Sequence, residues 1–96
     1  MVQTEVISDR LLLDIANEMQ ETDYVTIGAR LGISLARLDQ LRHDYMRDSR
    51  ARNVRMMTLW RDAQDGSKVT ILSRLIEALK AAGRRDLAEK VTAAKT

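Results

Sequence analysis

The sequence predicts an all-α fold, and three observations carry that prediction. The 96 residues contain no proline and only four glycines. That composition suits helices, because proline breaks them and short helical connections need few glycines. Apolar residues recur at helical spacing through most of the chain, and no stretch alternates long enough for a strand. Helix-starting side chains precede the periodic segments at short intervals.

Taken in order, the signals give six helices. Ser8 is a good N-cap for the first, about 8–19, in which Leu12, Ile15, Ala16 and Met19 mark a buried stripe. Asp23 is the expected cap of the second, about 24–31, with Ile27 and Leu31 inward. Gly32 is placed to close it in a left-handed conformation. Ser34 begins the third, about 34–44, where Leu35, Leu38 and Leu41 are expected to share a face. Asp48 or Ser49 caps the fourth, about 50–64, with Met56, Met57, Leu59 and Trp60 apolar and Gly66 after it. Ser67 caps the fifth, about 68–82. Its Ile71, Leu72, Leu75, Ile76 and Leu79 give the cleanest helical stripe in the chain. Gly83 ends it. The sixth, about 85–94, turns Leu87, Ala88 and Val91 inward. Aromatics are scarce, so Trp60 reads as a core anchor beside Met56 and Met57.

Length and charge bound the function. Ninety-six residues fit one domain, 1–96. Met1 and Val2 read as additions ahead of it, and the whole reads as a domain of something larger. There is no cysteine, so neither a disulfide framework nor a thiolate metal site is expected. Sixteen Lys and Arg against fourteen Asp and Glu leave a net charge of +2, with both signs on the surface. No apolar run approaches about 18 residues, the length of a membrane span. No basic segment followed by an apolar one marks a signal peptide.

No catalytic constellation emerges. His43 is the sole histidine and has no motif tying it to an acid or a hydroxyl. "DGSK" lacks the glycines of a phosphate loop, and "DAQDG" lacks the alternating acids of a calcium loop. No enzyme, cofactor or metal is expected.

"TIGARLGISLARLDQLR", Thr26 to Arg42, has helix-turn-helix spacing. As a DNA reader it would present Arg37 and Gln40 to base edges, with Arg47, Arg50, Arg52 and Arg55 on phosphates. Between Arg47 and Arg61 stand five Arg and one Asp. Against this, Asp39 and Asp44 would repel phosphate, and the acids are not segregated from one basic face. The same spacing serves any tight helical hairpin, where Gly28 permits close approach and Gly32 a positive φ.

From Val54 onward the sequence resembles the death domain family. Met56 and Met57 precede Trp60 by four and three residues. Gly66 and Thr70 follow, then Leu75, Ala78 and Leu79, and then Gly83, Arg84, Asp86, Leu87, Ala88 and Glu89. "LLLDIANEM" looks like that family's first helix, "DYVTIGARLGIS" its second and "LARLDQLR" its third. The resemblance runs from about Leu11 to Val91. Tyr24 stands where the family usually has Trp, and Gly28 where it usually has Ala. Trp60 and the apolar final stretch favour a death domain over the caspase-recruitment and death-effector relatives.

The resemblance implies a six-helix antiparallel bundle of Greek-key topology, with a core including Leu12, Ile15, Ile27, Leu31, Leu38, Met57, Trp60, Leu75, Leu79, Leu87 and Val91. It also implies a non-catalytic module that binds other death domains, or itself, through asymmetric contacts that join two different patches. The setting it implies is cytoplasmic, in an adaptor or the tail of a receptor, in apoptotic or inflammatory signalling. An acidic corner at Asp62 and Asp65 would meet a basic corner at Lys80, Arg84 and Arg85. The turn with Glu18, Glu21 and Asp23 would meet Arg37 and Arg42. Arg47, Arg50, Arg52 and Arg55 would meet Asp39 and Asp44. The alternative readings are the DNA-binding domain and a purely structural bundle.

Overall fold

A computed structural model describes residues 7–95; Met1 and Val2 lie outside them. Among the described residues there are six α-helices and no strand: α1 Asp9–Glu18, α2 Glu21–Arg30, α3 Leu35–Asp44, α4 Ser49–Asp62, α5 Lys68–Ala81 and α6 Arg85–Lys95.

Local chemistry sets most of the boundaries. Ser8, Ser34, Asp48 and Ser67 each accept a hydrogen bond from the backbone N–H three residues on, satisfying a donor that the first turn leaves orphaned. Gly32 and Gly83 adopt φ of 89° and 81° just past the ends of α2 and α5. The next residue then donates back across the helix end, Ile33 to the Gly28 carbonyl and Arg84 to the Leu79 carbonyl, each satisfying an orphaned acceptor.

Two expectations are corrected. α2 begins at Glu21, three residues earlier than the Asp23 cap implied. Gln20 is the N-cap, and Asp23 is its third helical residue, whose carboxylate accepts from the Gln20 N–H at 2.8 Å. In α3, Leu38 and Leu41 are buried but Leu35 is 64% exposed. At about 100° per residue Leu35 lies about 120° from Leu41 around the helix, outside the buried arc.

The helices pack both with chain neighbours and across the chain order. α1 lies against α4 and α6, α2 against α5, and α3 against α4, while α5 and α6 form the most extensive pair. Their inner faces make one core. It runs from Ile7 and Leu12 through Ile15, Ile27, Leu38, Met57, Trp60, Leu75, Leu79, Leu87 and Val91, all buried. Leu31 only packs against this core from its edge and stays half-buried. Tyr24 is fully buried, and its hydroxyl donates to the Leu38 carbonyl at 2.6 Å, tying α2 to α3.

Candidate protein-interaction surface

The charged residues singled out in the sequence divide into two groups, those paired with another residue of the chain and those left without an ion pair among the described residues. The division starts at the α1–α2 turn. Its three acids each reach a different element. Glu18 pairs with Lys90 of α6. Glu21 takes the Arg52 guanidinium in a two-pronged contact at 3.0 and 3.3 Å and meets Arg42 at 3.5 Å. Asp23 is buried and pairs with Arg84 at the α5–α6 corner. The hydrogen bonds from Arg52 hold the Glu21 carboxyl below its ordinary value.

Arg52 is a correction to the sequence reading. It is 4% exposed, with its guanidinium 3.9 Å from the centre of the Tyr24 ring. It also donates to Asn53 Oδ1 at 3.0 and 3.2 Å. Asn53 in turn donates to the Ala16 carbonyl at 3.4 Å. Asn53 was not singled out, yet the signal was present. Positions 52, 53, 56, 57 and 60 repeat at helical spacing, so Arg52 and Asn53 lie on the stripe of Met56, Met57 and Trp60. Each nitrogen of the buried cation has a hydrogen-bond partner, which is the condition for keeping a charge inside.

At the α5–α6 corner the three cations separate. Arg84 is drawn inward between Asp23 and Asp86, the latter at 2.9 and 3.1 Å, with its side chain 18% exposed. The Arg84 hydrogen bond holds the Asp86 carboxyl down at about 2. Lys80 and Arg85 face solvent and form no ion pair among the described residues.

Two acids stand before the opposite end of α5, which itself begins with Lys68. Asp65 faces solvent and its carboxylate has no ion pair among the described residues, while its backbone carbonyl accepts from Arg74 at 3.1 Å. Asp62 is exposed but held at 3.0 Å by Arg61, which also reaches Asp9 and the Ile7 carbonyl. With 14 residues at about 1.5 Å each, α5 separates the two corners by about 21 Å.

Elsewhere, Arg37, Arg47, Arg50 and Arg55 are exposed and form no ion pair among the described residues. Asp39 is likewise exposed, and Asp44 accepts from Gln40 at 2.9 Å. Arg42 lies 5.3 Å from the Tyr24 ring centre. Of the four cations proposed around α4, the fold therefore withdraws Arg52. Of the acids at the α1–α2 turn, all three are engaged internally. No cluster of three His, Cys, Asp or Glu able to hold a metal occurs among the described residues. No described helix is long and apolar enough to cross a membrane.

Six helices packed in this order, with part of their charge left facing solvent, define an all-α helical bundle. The family model of the death domain matches residues 9–95, and the chain belongs to the death domain family. It is similar to the mouse p53-induced death domain-containing protein 1, with 28% identity over 91 residues. The match covers 95% of this chain and 10% of that protein, so the chain spans about a tenth of its relative's length. No solved structure matches.

Proposed function

We propose that the domain associates with another death domain, its own copy included, through a head-to-tail contact between the two ends of α5. The observation that carries this is the free opposite charge at those ends. Asp65, with Asp62 beside it, stands at the start, and Lys80 and Arg85 stand at the finish. A contact joining two different patches does not close after one pair, so copies add in series and gather whatever is attached to them. Charge at such a rim governs partner choice and encounter rate more than affinity. The role is that of a scaffold for cytoplasmic signalling complexes of the apoptotic or innate-immune kind.

Arg85→Glu tests the reading. Arg85 holds nothing inside the fold, so the variant is expected to melt like the parent and to lose at least about tenfold in association, roughly 1.4 kcal/mol. Light scattering at low salt reads this, and unchanged association would sink the proposal. Arg84→Glu is a poor probe, because Arg84 holds Asp23 and Asp86 and its loss acts on the fold. The DNA reading is supported less, since Arg52, one of its four phosphate contacts, is buried. A gel shift with mixed-sequence DNA at moderate salt is expected to show no complex.

A further inference from the structure

Helix α3 is held by few of its own residues. Of its ten, only Leu38 and Leu41 are buried, and the other eight face solvent. On that exposed side Leu35, Asp39 and Arg42 follow at steps of four and three. At about 100° per residue such steps stay within about 60° of one another around a helix. Met46 stands just past the cap residue Tyr45 and extends the series by position. Leu35 is 64% exposed and Met46 76%, two of the large apolar side chains that the described residues leave open to solvent. Lone exposed apolar residues are ordinary. The order here is less so: apolar, acidic, basic, apolar.

That order is its own complement. Lay two copies of α3 antiparallel across a two-fold axis. Leu35 then meets Met46 of the second copy, Asp39 meets Arg42 of the second copy, and the axis makes each pair twice. Asp39 has no ion pair among the described residues, and Arg42, which meets Glu21 at 3.5 Å and lies 5.3 Å from the Tyr24 ring centre, remains 45% exposed.

We propose that this stripe is a symmetric contact between two copies of the chain, with Leu35 and Met46 as its apolar ends and Asp39–Arg42 pairs between them. It stands apart from the corner-to-corner contact of α5. A symmetric contact closes after one pair, whereas the corner contact propagates. A ten-residue helix is about 15 Å long, so two such faces bury less than the roughly 1,200 Å² at the lower end of stable interfaces. The dimer is therefore concentration-dependent. It acts most where another contact already holds copies together, because tethering raises the effective concentration.

Sedimentation equilibrium of the Arg85→Glu chain at low salt tests this with the corner contact removed. The average mass is expected to climb toward twice that of one chain as concentration rises. Adding Asp39→Arg or Arg42→Asp is expected to weaken association at least about tenfold, because a like-charge pair is then made twice. Mixing the two variants restores it, since each supplies the charge the other lacks. Arg42 also touches Glu21, so Met46→Glu, at a site exposed in the fold, serves as the second variant and is expected to weaken association too. Melting curves confirm that each variant folds. Three results would overturn the proposal: a single-chain mass up to millimolar concentration, variants that associate like their parent, or a mixture no better than either variant alone.

Discussion

A Cβ built on Gly28 would stand 2.6 Å from Leu38 Cδ2 and 3.0 Å from Met56 Sδ. Both neighbours are buried, so they yield only by repacking the core around them. Gly28 thus sets how closely α2 approaches α3 and α4. Alanine would gain about 1 kcal/mol in helix propensity, but overpacking costs about 1–3 kcal/mol. Gly28→Ala is expected to destabilise by about 1 kcal/mol in urea denaturation; a more stable variant would refute the close-approach reading. The Glu21–Arg52 pair gives a second expectation. Removing Glu21, the exposed partner, leaves a buried cation short of a counter-charge, at a cost of about 1–3 kcal/mol. Arg52→Met leaves an exposed carboxylate free to hydrate and keeps much of the packing against Tyr24. Urea midpoints are therefore expected to fall further for Glu21→Ala than for Arg52→Met. Single residues of this kind were only partly legible in the sequence. The small residue at 28 was visible, but the atoms that close on it, the Leu38 methyls and the Met56 sulfur, come from α3 and α4.

Among the elements, the α5–α6 corner shows how a local signal acquires a distant partner. Gly83 ends α5 and Asp86 lies in the first turn of α6, where an acid is favourable. Arg84 between them then reaches across to Asp23 of α2. The Asp86 carboxyl is held at about 2, below its ordinary 3.8. A group lowered in the folded state stabilises fully above its ordinary value and loses that contribution as pH falls through the lowered one. The parent is therefore expected to exceed Asp86→Asn in melting temperature at neutral pH, with the gap closing between about pH 4 and pH 2. A gap independent of pH would show that the ion pair is not its source. The start of α2 was misjudged for a related reason. Asp23 is a good cap residue by type, but its carboxylate accepts the Gln20 N–H from the third helical position and binds Arg84 as well.

For the whole molecule, the placement of charge matters more than its sum. The net charge of +2 hides a fold that pairs the acids of the α1–α2 turn internally and leaves Asp65, Lys80 and Arg85 outward. Exposed charges are screened as the Debye length shortens from about 10 Å at 0.1 M salt to about 3 Å at 1 M, whereas partly buried pairs are screened less. Raising salt is expected to lower the scattering mass of the associated chain while moving its melting temperature little. If both fell together, the surface charges would be acting on the fold and not on association.

The sequence by itself determined the six helices, most of their caps, the glycine turns and nearly all of the core. Each of those follows from short-range spacing, which a chain carries wherever it folds. Tertiary structure alone decided which charges remain free. Arg52 and Arg55 look alike in the sequence, as do Arg84 and Arg85. Their surroundings are set by partners 31 and 61 residues away, Glu21 and Asp23. An ion pair between helices depends on how those helices pack, and that geometry exists only once the core has formed.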